Sequence, residues 1–130
     1  MRLVVDTSAL VAIITGEPER AAFLGVLAQG DEMLLSEINY AEAGIVLVAR
    51  GYLADQQAFD TWLEGARIQV AREPALHEPA LKAYLAYGKG RHPAGLNLAD
   101  SFAYALAKTL DAPLLYKGDD FALTDIRAAL

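Results

Sequence analysis

The sequence predicts one α/β domain, a three-layer α/β/α sandwich around a parallel sheet of four to five strands. Three observations predict this fold. Short runs of consecutive apolar residues alternate with longer segments of helical periodicity. The apolar runs lack polar alternation, which is typical of strands that helices cover on both faces. The chain has 130 residues, the length of one domain with one core, so we expect residues 1–130 to form a single unit.

In the first half of the chain, predicted strands and helices alternate. Asp6, Thr7 and Ser8 follow an apolar run and offer side chains that can cap the start of a helix. Pro18 favours the first turn of a second helix, and Ser36 can cap a third. The elements predicted here are a strand at 3–5, helices at 9–14 and 18–30, a strand at 33–35 and a long helix at 36–49.

The second half of the chain repeats this alternation. Asp55 opens one helix, Asn97 caps another, and Pro113 ends the latter. The elements predicted here are helices that begin at 55, 75 and 97, strands at 68–71 and 114–116, and a short edge strand at 125–130. The side chains expected to face inward from the helix at 75–87 are Leu81, Tyr84 and Leu85.

Composition excludes several classes of function. The absence of cysteine excludes a disulfide scaffold, thiolate metal sites and cysteine nucleophiles, and it suits a cytoplasmic location. Seventeen acidic residues against eleven Lys and Arg give a net charge of -6, so a phosphate substrate must meet a local basic patch or bound cations. The longest apolar stretch, 43–49, is shorter than the roughly 20 residues that span a bilayer, and we expect no membrane association.

Four acidic positions are not explained by an ordinary solvated helix face. Asp6 ends the first predicted strand, and Asp100 lies in the first turn of a helix rich in apolar and small residues. Glu42 lies within the long helix, and the pair Asp119 and Asp120 follows the last strand. Sites in parallel α/β sheets form beyond the carboxyl ends of the strands, so we expect these acids to lie close together.

Glu42 is the most informative of these acids. It shares one helical face with Ile38, Ile45 and Ala49, which predicts a carboxylate on an apolar stripe. Burial of a charge there is unfavourable unless something compensates it. The ordinary alternatives are a pairing with Arg50 or another base, or a place at the edge of the stripe.

The other acids also have ordinary structural explanations. Asp6 can serve as an N-cap, Asn97 and Asp100 can form a capping box, and Asp119 and Asp120 can belong to a turn. Each explanation suffices for one position. Together they require four separate segments to bring carboxylates to the same edge of the sheet by coincidence, which favours a shared role.

A shared carboxylate site requires a cation, because close carboxylates repel and cannot all stay ionised at neutral pH. Oxygen ligands without cysteine or a suitable histidine pair favour Mg²⁺ or Mn²⁺ over zinc. Such an ion supplies the positive charge and the activated nucleophile that hydrolysis of a phosphate ester requires. The residues therefore predict metal-dependent hydrolysis of a phosphate ester, and the acidic net charge is no objection to it.

Four segments of the sequence resemble a known family. They are VVDTSAL at 4–10, YAE at 40–42, LADSFA at 98–103 and YKGDDF at 116–121. Their order and spacing resemble those of the PIN-domain ribonucleases, and among these the VapC-type toxins of bacterial and archaeal toxin–antitoxin pairs. The similarity extends over essentially the whole chain and implies a PIN-like fold.

The resemblance also implies an activity and a set of site residues. By position, Asp6, Glu42 and Asp100 correspond to the family's first three acids, and both Asp120 and Asp119 are candidates for the fourth, with Asp120 favoured. A small hydroxyl residue beside the metal corresponds to Thr7, with Ser8 as the second candidate. The implied activity is a Mg²⁺- or Mn²⁺-dependent endoribonuclease that hydrolyses RNA phosphodiester bonds. Its implied partners are a cognate VapB-like antitoxin and a second copy of the chain in a homodimer.

Two other readings of the same acids remain open. One is a metal-dependent phosphohydrolase that acts on small phosphate esters, and the other is a non-catalytic PIN-like binding scaffold. Lys89, Arg91 and His92, in a glycine-rich loop before the Asp100 helix, are candidates for contacting phosphate, although an ordinary solvated loop has the same composition.

Overall fold

Four parallel strands form the centre of the molecule in the computed structural model, which describes residues 1–130. In chain order the strands are β1 (Arg2–Val5), β2 (Glu32–Leu35), β3 (Ile68–Val70) and β4 (Leu114–Leu115). Their order across the sheet is β3-β2-β1-β4, and all neighbouring pairs are parallel. The strand order reverses between β1 and β4, and such a switch point is where α/β sheets open a crevice for a ligand.

Six helices connect the strands, and a short 3₁₀ turn, Phe121–Leu123, follows β4. The helices are α1 (Thr7–Ile14), α2 (Arg20–Gln29), α3 (Glu37–Ala49), α4 (Gln56–Gly65), α5 (His77–Tyr87) and α6 (Leu98–Thr109). The predicted N-caps are confirmed. The side chains of Asp6, Ser36, Asp55 and Asn97 each accept a hydrogen bond from a backbone N–H in the first turn of their helix.

Two helices begin later than the sequence predicts. α2 begins at Arg20 rather than Pro18, because Pro18 and Glu19 belong to the turn that precedes it. α5 begins at His77 rather than Ala75, whose backbone φ of 55° lies in the left-handed region and does not continue a right-handed helix.

Helices cover both faces of the sheet, which confirms the predicted three-layer sandwich. Because side chains alternate along a strand, adjacent residues of β1 enter different layers. Leu3 and Val5 pack into one apolar core together with residues of α1, α2, α3 and α4. Val4 packs into a second core with residues of α6.

The inward face of α5 differs from the predicted one. Leu81 and Leu85 point outward, with 59% and 48% of their surface exposed, and the residues that α5 buries are Ala80 and Ala83. α5 lies against α6. Small alanine side chains allow the two helices to approach closely, and the leucines remain outside this contact.

The carboxyl-terminal tail lies beside β4 without forming the predicted edge strand at 125–130. Its contact with the sheet is one parallel bridge between Leu114 and Ala128. The N–H of Leu114 donates to the Arg127 carbonyl at 2.9 Å, and the N–H of Ala129 donates to the Leu114 carbonyl at 2.9 Å. The sheet therefore has four strands. None of the helices combines the length and the apolar character that crossing a membrane would require.

Candidate active site

Asp6 directly follows β1, at the middle of the carboxyl end of the sheet, and only 2% of its surface is exposed. Its Oδ2 atom accepts hydrogen bonds from the Ser8 N–H at 3.0 Å and from Ser8 Oγ at 2.6 Å. Burial raises the pKa of Asp6 to about 7. The Ser8 bonds lower that pKa, and the negative charges of Asp100 and Glu42 raise it further, so the three carboxylates are within electrostatic reach of one another.

Glu42 lies at the edge of the buried face of α3. The prediction of a buried apolar stripe around it is wrong. Ile45 is 69% exposed and Ala49 is also exposed. The stripe that α3 buries is formed instead by Asn39, Ala43 and Leu47, spaced four residues apart. Glu42 is half-buried beside this stripe, and it forms no ion pair with Arg50 or any other base.

Asp100 combines a structural role with a place near the other acids. With Asn97 it forms the capping box of α6: the Asp100 N–H donates to Asn97 Oδ1 at 2.8 Å, and the Asn97 N–H donates to Asp100 Oδ2 at 3.1 Å. Partial burial raises the pKa of Asp100, and the charges of Glu42 and Asp120 raise it further. Capping therefore occupies one carboxylate oxygen and leaves Oδ1 available.

The two aspartates after β4 are both exposed. Asp120, at the start of the 3₁₀ turn, is near enough to Asp100 to raise its pKa. The structure therefore brings Asp6, Glu42, Asp100 and Asp120 towards one region.

None of the five candidate acids has a cationic partner. The six ion pairs of the structure use other carboxylates, those of Asp31, Glu32, Asp125, Glu17, Glu19 and Asp111. An uncompensated group of carboxylates around a buried aspartate has the donor chemistry that suits a hard divalent cation.

The acids converge without closing around one point, since no three acidic or histidine side chains are placed to hold a metal ion as they stand. Mg²⁺ commonly keeps several waters and binds through one or two carboxylates, so its binding does not require a closed cage of three protein ligands. By donor chemistry and charge, the residues present fit such an ion.

Of the two candidate hydroxyl residues, Ser8 is the one that contacts Asp6. Ser8 Oγ donates to Asp6 and accepts the N–H of Lys117 at 3.0 Å, which links the first turn of α1 to the loop that carries Asp120. The Lys117 ammonium lies between Glu17 and Glu19 and pairs with both, 3.3 Å from Glu19 Oε2. Lys117 is thus a structural counter-ion that anchors this loop.

The candidate phosphate contacts of the glycine-rich loop are not brought to the acids by any hydrogen bond or ion pair. Arg91 Nε donates to the Leu85 carbonyl at 3.0 Å. His92 accepts the Ala94 N–H at Nδ1, and its ring packs edge-on against Tyr87 with the ring centroids 5.0 Å apart. Lys89 is exposed. These contacts give Arg91 and His92 roles in the loop itself, and contact with phosphate stays a prediction.

Asn39 contacts this region but was not among the residues that the sequence analysis singled out. Its side chain is fully buried, and its Nδ2 lies 3.0 Å from Thr7 Oγ1 and 3.3 Å from the Ala99 carbonyl. The signal that identifies it is an asparagine in the stripe of Ala43 and Leu47, because a polar side chain in a buried stripe must find partners.

Known proteins match this chain over nearly its whole length. The PIN-domain family model matches residues 3–126. Ribonuclease VapC of Mycolicibacterium smegmatis is 44% identical over 127 residues, which cover 97% of this chain and 98% of that protein. The chain is a VapC-family PIN domain. The family resemblance and the PIN-like fold predicted from the sequence are confirmed.

Two solved structures share the fold of this PIN domain. VapC20 of Mycobacterium tuberculosis, a toxin that cleaves the sarcin–ricin loop, superimposes with a TM-score of 0.73 at 15% identity, covering 95% of each chain. A chain of a toxin–antitoxin complex from Klebsiella pneumoniae superimposes with a TM-score of 0.67 at 19% identity, covering 92% of this PIN domain and 90% of that chain. At these identities the likeness supports the fold alone.

Proposed function

We propose that this VapC-family PIN domain is a Mg²⁺- or Mn²⁺-dependent endoribonuclease and the toxin of a type II toxin–antitoxin pair. One observation carries the metal-dependent chemistry: the Asp6 carboxylate is buried at the end of β1, near Glu42 and Asp100, without a cationic partner. The ribonuclease activity is supported by relatives such as ribonuclease VapC of M. smegmatis, which matches nearly the full length of the chain.

Asp6 and Asp100 would hold the main ion, and Glu42 would support it together with Asp120 or Asp119. When bound, the ion supplies positive charge that activates a water and stabilises the charge that develops on the phosphate. Ser8 holds Asp6 by two hydrogen bonds to Oδ2 and leaves Oδ1 for the ion, with a 3.5 Å contact to Asn39 Nδ2. The capping box holds Asp100 in the same way at Oδ2.

The neutral donors around Asp6 are consistent with this role. Ser8 and Asn39 orient the carboxylate without cancelling its charge, whereas a lysine or arginine in their place would compete with the metal ion. The acidic surface would then oppose RNA binding less, because a bound ion would offset part of the negative charge of the carboxylates and of the phosphate.

The expected partners are RNA, a cognate VapB-like antitoxin and a second copy of the chain. An antitoxin partner is supported by membership of the VapC family. We place the protein in the cytoplasm, where its RNA substrate and its antitoxin would be made.

Asp6→Asn provides the test of this function. Incubation with total RNA and Mn²⁺ should give cleavage by the wild type, while Asp6→Asn should lower the rate on the order of 1000-fold, about 4 kcal/mol of transition-state stabilisation. A chelator should abolish cleavage by the wild type. Asp125→Asn, which changes an exposed and ion-paired aspartate, is the matched control and should cleave at the wild-type rate.

The opposite results separate the competing functions. Equal cleavage by wild type and Asp6→Asn would remove the proposed mechanism. Metal-dependent hydrolysis of p-nitrophenyl phosphate without cleavage of RNA would favour a phosphohydrolase for small esters. Asp6-dependent Mn²⁺ binding with neither activity would favour a binding scaffold.

A further inference from the structure

Asn39 joins the three elements that carry Asp6, Glu42 and Asp100. Asn39 belongs to α3, one helical turn before Glu42. From this position its Nδ2 reaches Thr7 Oγ1 at 3.0 Å, in the first residue of α1, and Asp6 Oδ1 at 3.5 Å, at the end of β1. The same nitrogen lies 3.3 Å from the Ala99 carbonyl in α6, in the residue directly before Asp100.

The orientation of the Asn39 amide is set by Ser36. Ser36 Oγ accepts the Asn39 backbone N–H at 3.0 Å as the N-cap of α3, and it donates to Asn39 Oδ1 at 2.5 Å. Both groups are buried. Because the amide oxygen is engaged by Ser36, the NH₂ group must face Asp6, Thr7 and the Ala99 carbonyl.

An amide at this point has an advantage over other polar groups. Its NH₂ group has two N–H donors, which are shared among three acceptors, and it carries no charge, so it links Asp6, α1 and α6 and leaves the carboxylates uncompensated. A cationic side chain at position 39 would compensate the charge of the carboxylates. An apolar side chain would leave the three acceptors, on Asp6, Thr7 and Ala99, without a hydrogen-bond donor from α3.

We propose that Asn39 is a positioning residue, whose NH₂ group holds the Asp6 carboxylate and the first turn of α6 in the relative placement that binds the divalent cation. The proposal rests on the proposed function, because the ion is what the two acids would share. Asn39 acts through Asp6 and Asp100 and does not itself contact the substrate.

A purely structural role makes a different prediction. Removal of a buried hydrogen-bonding group lowers stability whatever else it does, but a structural role alone leaves each folded molecule with normal metal affinity and turnover. A positioning role changes Mn²⁺ affinity and turnover even where stability is retained. Residues that orient metal ligands typically change affinity or activity 10- to 100-fold when they are lost.

The experiment compares two Asn39 variants with a variant of the same buried stripe. Asn39→Ala removes the amide and leaves space, and Asn39→Leu removes its donors while keeping a side chain branched at Cγ, so that at least one variant is expected to fold. Leu47→Ala, two turns further along α3 and also fully buried, is a destabilising control without contact to the acids. Mn²⁺ binding is measured on RNA-free protein by calorimetry, and kcat and KM are measured with an RNA oligonucleotide at saturating Mn²⁺.

Both Asn39 variants should bind Mn²⁺ about 10- to 100-fold more weakly and show a similarly lower kcat, with KM within about threefold of wild type. Leu47→Ala should lose stability and retain wild-type Mn²⁺ affinity per folded molecule. Wild-type Mn²⁺ affinity in a folded Asn39→Leu or Asn39→Ala protein would overturn the positioning role and leave the proposed function standing. Absence of Asp6-dependent Mn²⁺ binding in the wild type would remove both proposals.

Discussion

Asp6 at the end of β1 and Asp125 near the carboxyl terminus carry the same side chain in opposite surroundings. Asp6 is buried, and its hydrogen-bond donors are neutral groups of Ser8 and Asn39. The Asp125 side chain is 55% exposed; it accepts a hydrogen bond from the Tyr104 hydroxyl and pairs with Lys108 at 3.1 Å. The pKa of Asp6 is raised to about 7 by burial, and the pKa of Asp125 is lowered by its bonds to Tyr104 and Lys108.

The difference separates two uses of a carboxylate in one small protein. Asp125 has its counter-ion within the chain, so its charge stabilises the fold and nothing further is required of it. Asp6 has no counter-ion, and burial of its charge destabilises the metal-free fold. Such an arrangement is expected where a ligand from outside the chain compensates the charge. It distinguishes a binding site from a surface ion pair.

The largest expected effect on stability comes from removing the charge of Asp6. Its pKa is higher in the folded protein, about 7, than its ordinary value near 3.8, so the folded state binds a proton that the unfolded state has lost. Stability of the metal-free protein therefore falls as the pH rises from about 4 to 7. Asp6→Asn should remove this loss and stabilise the metal-free protein at pH 8 by up to about 4 kcal/mol, since one pKa unit corresponds to about 1.4 kcal/mol.

Asp125→Asn is the matched variant for this measurement, and the sign of its effect is opposite. In the wild type the pKa of Asp125 is lowered, so its charge stabilises the folded state above pH 4, and this stabilisation disappears as the pH falls. Because the Asp125 side chain is half exposed, Asp125→Asn should lower the free energy of unfolding at pH 8 by less than about 1 kcal/mol. Thermal unfolding of both variants at pH 4, 6 and 8 in the presence of a chelator tests the contrast. An Asp6→Asn protein that is less stable than wild type at pH 8 would contradict the description of Asp6 as an uncompensated charge.

The second expected effect is stabilisation by Mn²⁺. A ligand that binds only the folded state at 100 times its Kd stabilises it by about 2.7 kcal/mol, on the order of 10 °C in Tm for a domain of this size. Wild type and Asp125→Asn should gain this increment at pH 8, and Asp6→Asn should lose most of it. Thermal unfolding of the three proteins with and without Mn²⁺ measures these gains in Tm. Equal gains in all three proteins would show that the ion binds elsewhere.

Much of the fold follows from local signals in the sequence. Apolar runs predict the four strands, and Asp6, Ser36, Asp55 and Asn97 predict the starts of four helices, because a cap acts within three residues of its own position. The prediction fails where tertiary contacts decide. Leu81 and Leu85 have the right spacing for a core face, but the close contact of α5 with α6 buries alanines instead.

The sequence predicts the position of some candidate site residues better than it predicts the contacts around them. Asp6 and Asp120 follow strands of a parallel sheet, so topology alone brings them to one end of it. Asn39 contacts Thr7 and the Ala99 carbonyl, which lie 32 and 60 residues away in the chain, and no local pattern encodes which partners it finds. Glu42 was singled out for an incorrect reason, since Ile45 and Ala49, on whose stripe it was placed, are exposed.

The smallest expected effect concerns Asp100, which stands between the two kinds of carboxylate because it both caps α6 and faces the other acids. Asp100→Asn keeps an oxygen that can accept the Asn97 N–H and removes the charge, so in metal-free protein at pH 8 its Tm should equal or exceed that of wild type. Asp100→Ala loses the acceptor as well and should be less stable than Asp100→Asn by about 1 kcal/mol. Differential scanning calorimetry of the three proteins measures both differences. If Asp100→Asn were less stable than wild type by several kcal/mol, the charge of Asp100 would stabilise α6, and Asp100 would resemble Asp125 rather than Asp6.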